Sequence, residues 1–217
     1  MSTAADRAAA VEIPEAGAYA RWVKPAADRV AAAVLLALLS PVLAGLVVAV
    51  WATSGRPAFF LQPRLGKDGR PFRMVKLRTM RPGAPTEFLP DGSTKVVGGD
   101  SRLTPLGGML RSTSLDELPQ LVNVLRGEMS LIGPRPDLVE QVELYDDVAR
   151  QKLLVRPGIT GLAQVSGRNA LPWRERLRVD AEYARSVSLR TDLWIAMRTV
   201  VVAVRRQGID PGVGEGG

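Results

Sequence analysis

Between Val30 and Trp51 the chain carries 22 consecutive residues without a charge, VAAAVLLALLSPVLAGLVVAVW. As a helix rising about 1.5 Å per residue, such a run matches a hydrocarbon core about 30 Å thick. It begins too late and runs too long for a secretory signal. Ser40-Pro41 lies at its midpoint, with ten apolar residues on either side. Pro41 lacks a backbone donor and its ring crowds the carbonyl of Ala37, so the helix is expected to bend or break there. The Ser40 hydroxyl can satisfy the freed carbonyl, which makes a kink tolerable in lipid. Each arm would then be roughly 15 Å long. Arg21, Lys24 and Arg29 precede the run, and Arg56, Arg64 and Lys67 follow it. The positive-inside rule would keep both flanks in the cytosol. Residues alone leave two topologies open, a kinked span and a re-entrant hairpin.

Beyond Gly55 the pattern changes. AFFLQPRL (58–65) and PFRMVKLRT (71–79) read as strands joined around Asp68-Gly69, a hairpin signal. Seven basic residues fall between Arg64 and Arg81. They suit a solvated cationic hairpin, acidic headgroups or a phosphorylated substrate. Residues 82–108 are rich in Gly, Pro, Asp and Thr and read as a long irregular connection. Helices are expected over 114–129, 137–153, 173–187 and 191–206. The last is apolar on one face with Arg198, Arg205 and Arg206 on the other. That pattern fits a membrane surface or an ordinary core. Residues 1–20 and 208–217 read as flexible tails.

The chain has no Cys and no His. This excludes thiol nucleophiles, a Ser-His-Asp relay, disulfides and the usual zinc sites. Oxygen ligands favour a hard cation such as magnesium. Lys plus Arg total 29 against 22 Asp plus Glu, a formal +7 in 217 residues. Such a balance favours anionic partners: nucleic acid, phosphorylated small molecules or acidic lipid. In Ser114-Leu115-Asp116-Glu117, Ser114 and Glu117 have the spacing of a capping box, and acidic residues suit a first helical turn. The same adjacent carboxylates, with nearby arginines and no His, also suit phosphoryl transfer assisted by a divalent cation. Gly133-Pro134-Arg135-Pro136 and Gly167-Arg168 can present amides and guanidinium groups to phosphate oxygens.

In chain order, Lys76-Leu77-Arg78-Thr79-Met80, LRSTSLDELPQLVNVLRGEMSLIGPRP (110–136) and RPGITGLAQVSGRN (156–169) resemble the bacterial sugar transferases, the monotopic phosphoglycosyl transferases. A weaker match is Asp180, Tyr183, Ser188 and Asp192, and the similarity covers about residues 24–207. Val75 and Leu77 stand where relatives often have aromatics, and Ser166 where Asn is frequent. The resemblance implies an α+β monotopic membrane protein. Its re-entrant hairpin (21–55) would be broken at Ser40-Pro41. A short β-hairpin and a mostly helical cytosolic catalytic domain (56–207) with interfacial amphipathic helices would follow. Some relatives carry a preceding block of spanning helices; the minimal form is expected here.

The resemblance further implies transfer of a sugar 1-phosphate from a UDP-sugar to a polyprenyl phosphate at the cytoplasmic membrane face. UMP is released, and the product starts exopolysaccharide, O-antigen or glycoprotein glycan assembly. Asp116 would be the nucleophile, forming a covalent sugar-phosphate intermediate, and Glu117, with Asp116, would help bind Mg2+. Arg111 would hold a phosphate, and Lys76, Arg78, Arg135 and Arg168 would bind substrate. Pro134 and Pro136 would shape the site. The partners are the donor, the acceptor and membrane lipid, without nucleic acid. Asp180 and Asp192 read as structural. The alternative is a basic membrane-tethered adaptor without catalytic activity, for which Asp116→Asn would change nothing. A polytopic transferase would need several spanning segments, and only one apolar stretch is long enough.

Overall fold

The computed structural model describes residues 17–94, 100–167 and 171–205, with side chains through Val202. A π-helical turn, Tyr19–Val23, leads directly into α1 (Lys24–Ser54). Pro25 sits in the first turn, where a missing N–H removes no intrahelical bond. Tyr19 and Ala20, expected in the tail, are therefore helical, and the Tyr19 hydroxyl donates to Asp192 at 2.7 Å. The helix is also continuous through Ser40-Pro41, where a break was expected. The Ser40 hydroxyl donates to the Ala37 carbonyl at 2.8 Å, satisfying the acceptor that Pro41 leaves open.

Most of α1 is exposed and apolar on every side, with Val30, Val34, Leu38, Val42 and Val48 facing outward. One stripe is different. Ala32, Leu36 and Leu39 pack with Met74, Leu121, Val124 and Met129. Leu43, Leu46 and Val50 pack with Ala58, Leu77 and Leu110. These six positions alternate steps of four and three, which keeps them on one helical face.

α1 ends at Gly55, and Arg78 closes that end by donating to the carbonyls of Ser54, Gly55 and Arg56. A cation there satisfies orphan carbonyls and suits the helix C-terminus. The chain then forms the antiparallel hairpin β1 (Phe59–Leu65) and β2 (Pro71–Leu77), from Phe59↔Leu77 to Leu65↔Pro71. Asp68 and Gly69 both have positive φ in the turn, as the Asp-Gly signal requires. The described residues from 82 to 106 contain only isolated bridges, such as Phe88↔Thr94.

α2 (Gly107–Ser112) precedes the expected 114–129 helix, which is in fact divided. Ser114 is left-handed (φ 57°), Leu115–Glu117 form a single 3-10 turn, and α3 covers only Gln120–Leu125. Ser114 provides no side-chain cap, so the capping box is absent. The buried Asn123 locks α3 to β2: Oδ1 accepts from Val75 N at 3.0 Å and Nδ2 donates to Arg73 O at 2.8 Å. One carboxamide thus acts as a short extra strand on the free edge of β2.

β3 (Ser130–Ile132) pairs in parallel with β4 (Gly158–Thr160). A side chain at Gly158 would collide with the Gly133 backbone, so glycines are needed where these strands' loops meet. The helix expected over 137–153 is three short pieces: 3-10 turns at Val139–Leu144 and Gln151–Leu154 around α4 (Asp147–Arg150). α5 (Leu162–Ser166), α6 (Trp173–Arg185) and α7 (Leu189–Arg205) complete the chain. α7 turns Ile195 and Val202 inward but exposes Leu189, Leu193, Trp194, Met197 and Val200. Its Asp192 pairs with Lys24 at 2.8 Å and accepts from Tyr183 at 2.6 Å, fastening α7 to α6 and the base of α1.

Candidate active site

The 3-10 turn carries Asp116 and Glu117 beside the end of β2. Glu117 Oε1 accepts from Lys76 Nζ at 2.8 Å and from Arg135 Nη2 at 3.1 Å. Burial pushes the Glu117 carboxyl up, but these two cations outweigh it and hold it far below the usual range. Asp116 behaves in the opposite way. It is 6% exposed and makes no hydrogen bond or ion pair among the described residues. Burial raises its pKa to about 6, Lys76 opposes the rise, and the Glu117 charge adds to it. A lone 3-10 turn has little dipole, and desolvation dominates.

Arg111 reaches the same site from α2, its Nε donating to Thr79 Oγ1 at 2.9 Å. Burial lowers its pKa while the Asp116 charge opposes that shift. Lys76 is likewise lowered by burial, against the pull of Glu117.

Arg135 stands on an unusually well-held segment. Pro134 and Pro136 have no N–H, which leaves four backbone polar groups in Pro134-Arg135-Pro136. The Pro134 carbonyl accepts from Gly158 N at 2.9 Å, the Arg135 carbonyl from Lys152 Nζ at 2.9 Å, and the Pro136 carbonyl from Arg64 Nη1 at 3.1 Å. Arg135 N donates to Asp180 Oδ2 at 3.3 Å. Four elements thus fix the base of one guanidinium.

Lys152 is the hub of that mount. It is 3% exposed and also pairs with Asp137 at 2.7 Å and Asp180 at 3.2 Å. Asp180 is fully enclosed and burial raises its carboxyl to about 6. The structural role expected for Asp180 and Asp192 is what both perform.

The structure brings Asp116, Glu117, Lys76, Arg111 and Arg135 together, with Pro134 and Pro136 as supports. It does not bring Arg78 in, because that side chain holds the end of α1. Arg168 lies outside the described residues. Two neighbours escaped the sequence reading. Arg64, read only as part of a cationic hairpin, is turned inward beside Arg135, and Gln120 lines the cleft with Glu117 and Lys76. The pairing of Arg64 with Pro136, 72 positions apart, leaves no local pattern, although the spacing of Gln120 from Asp116 (four) and Glu117 (three) puts all three near one face.

Among the described residues no group of three or more potential ligands could hold a metal unaided. Both contacts to Glu117 fall on Oε1, leaving Oε2 as an acceptor. One or two carboxylates completed by substrate phosphates is the usual donor set of Mg2+, and these residues fit it.

The bacterial sugar transferase family model matches residues 19–206. The exopolysaccharide production protein ExoY of Rhizobium meliloti is 39% identical over 192 residues, covering 83% of this chain and 85% of that protein. A Caulobacter vibrioides protein named UDP-glucose:undecaprenyl-phosphate glucose-1-phosphate transferase is 44% identical over 183 residues, 80% of this chain and 66% of its own. The undecaprenyl-phosphate galactose phosphotransferase of Salmonella typhimurium is 37% identical over 205 residues, 87% of this chain but 42% of its own length. An uncharacterized sugar transferase of Haemophilus influenzae, 39% identical over 202 residues, is also matched along only 42% of its length. The chain thus spans less than half of the latter two. With a match running from the π-helical turn to the end of α7, the chain belongs to the bacterial sugar transferase family.

Proposed function

We propose that the protein transfers a sugar 1-phosphate from a UDP-sugar to a polyprenyl phosphate, releasing UMP, through a covalent intermediate on Asp116. The observation that carries this reading is the contrast within the carboxylate pair. Glu117 is held by two cations, while Asp116 is buried, raised and without a hydrogen bond or ion pair among the described residues. A nucleophile has to keep its lone pairs available, and desolvation raises its reactivity.

In the first step an Asp116 oxygen attacks the sugar-bearing phosphorus, and the bond from that phosphorus to the bridging oxygen breaks, so UMP leaves. In the second step an oxygen of the polyprenyl phosphate attacks the same phosphorus and Asp116 departs as a carboxylate. Arg111 and Lys76 offset the charge gathering on the transferred phosphoryl group. Arg135, on its fixed mount, holds Glu117 and presents its remaining donors to phosphate oxygens. Glu117, with Asp116 nearby, would hold Mg2+; bound there, the ion would supply positive charge to offset that gathering on the departing UMP phosphate. Splitting the reaction keeps two anionic substrates from having to occupy the site together.

The packing of α1 supports a location at the membrane. Both halves of its packed stripe rest on the same small domain. If α1 crossed the bilayer, β2 and α3, with Lys76 and Glu117, would be drawn into hydrocarbon, which charged groups resist. The packing therefore supports a helix that enters the membrane without crossing it, and the basic flanks on both sides of the apolar run favour the cytosolic face for the catalytic domain. α7, apolar on its exposed side, suits the adjacent interface.

The test is UMP release by purified protein in nanodiscs containing undecaprenyl phosphate, with Mg2+ and a panel of UDP-sugars. Release with one donor, abolished by Asp116→Asn and by EDTA, is expected. Release that survives Asp116→Asn would remove the covalent route.

A further inference from the structure

Beside Glu117 lies a narrow cleft whose polar lining is Arg64, Lys76, Glu117, Gln120 and Arg135. Three cations face one carboxylate, whose Oε1 already accepts from Lys76 and Arg135. Two further donors in this lining have no acceptor among the described residues. Gln120 is 2% exposed, and its buried Nε2 makes no hydrogen bond. Arg64 directs Nη1 to Pro136 and Nη2 to Gln62, but its buried Nε also makes none. Buried N–H groups without an acceptor are rare in folded proteins, since each has given up its hydrogen bonds to water. Two in one cleft of net positive charge mark a place built for an acceptor that arrives with a ligand. Arg64 feels the same surplus: burial and the neighbouring Arg135 lower its pKa to about 10.

We propose that this cleft is an anion-oxygen subsite in which Gln120 Nε2 donates to a non-bridging phosphate oxygen of a substrate, with Arg64 Nε as the second donor. The assignment rests on the phosphoglycosyl-transfer reading, which supplies two sources of that oxygen: the diphosphate of the nucleotide sugar and the phosphate of the lipid acceptor. Gln120 belongs to the binding machinery as a neutral donor. It grips an oxygen without adding a charge that would compete with Lys76 or Arg135 for Glu117.

The experiment compares full-length wild type, Gln120→Met and Gln120→Glu in detergent. Thermal unfolding is followed without ligand, and binding is measured separately for UDP and for undecaprenyl phosphate. Met matches the glutamine in size and leaves no unsatisfied donor. The Gln120→Met protein is therefore expected to unfold at the wild-type temperature or above it. Its affinity for one of the two ligands is expected to fall roughly 10- to 100-fold, the loss of one hydrogen bond to an anion. The ligand affected names the source, and Gln120→Glu should abolish binding of that same ligand. Unchanged affinity for both ligands in Gln120→Met overturns the proposal. So does a lower unfolding temperature without ligand, which would make Gln120 a structural residue, and so does a wild type that binds neither ligand. A wild type that binds through Gln120 yet releases no UMP would remove the transfer reading and leave the subsite standing.

Discussion

At the scale of single residues, Asp116 sets a conflict between stability and chemistry. Its folded pKa of about 6 lies above the ordinary 3.8. Between about pH 4 and pH 6 the folded protein holds a proton that the unfolded chain has released. The contribution of this group to stability therefore falls as pH rises through that window, and is level above it. On the proposed covalent route activity runs the other way, because attack needs the carboxylate. kcat/KM measured from pH 5 to 8 is expected to rise through about 6 and then level off. At about 1.4 kcal/mol per pKa unit, the shift corresponds to at most about 3 kcal/mol of destabilisation at neutral pH. Asp116→Asn should accordingly lose transfer and yet unfold at a higher temperature at pH 7.5, a gain seen where active sites hold unfavourable groups. The pair Asp116-Glu117, with Lys76 and Arg135, was legible as a motif. The fate of Arg78 was not, since nothing local shows that three carbonyls at the end of α1 will absorb a guanidinium.

Among the elements, α3 and β2 decide whether the site exists. Lys76 meets Glu117 because Asn123, six residues after Glu117, clips α3 to the edge of β2 at Val75 and Arg73. Asn123→Ala would leave a part-buried donor and a part-buried acceptor of β2 without partners. A loss of about 2–3 kcal/mol in denaturant unfolding is expected, together with reduced kcat because Lys76 would no longer be held in register. An unchanged unfolding midpoint would show that β2 needs no such clip. The hairpin and the two long C-terminal helices could be read from alternation, turn residues and helical period. The middle of the chain could not. β3 and β4 are three residues each, too short for any period, and their pairing is enforced by glycines distant in sequence. The 114–129 stretch has helical composition, but left-handed Ser114 and Pro119 divide it, and that division turns Asp116 into the site.

On the scale of the whole molecule, the apolar run announced a membrane protein, while the use made of it came only from the fold. A spanning anchor and a re-entrant one share the same composition; the stripe from Ala32 to Val50 is what ties this helix to the domain beside it. Removing residues 1–55 should therefore not yield a soluble enzyme. Met74, Leu77, Leu110 and Val124, each at most 3% exposed, would be uncovered. The truncated chain is expected to lack cooperative unfolding by circular dichroism, and a cooperative, monomeric product would contradict the packing described. The stripe thus makes anchor and catalyst a single inheritance. A lineage cannot exchange this membrane segment for another, as it could a tethered tail, without redesigning two of the four clusters that make up the interior. New sequence can be added before Tyr19 or after α7, but the helix between is not a removable module.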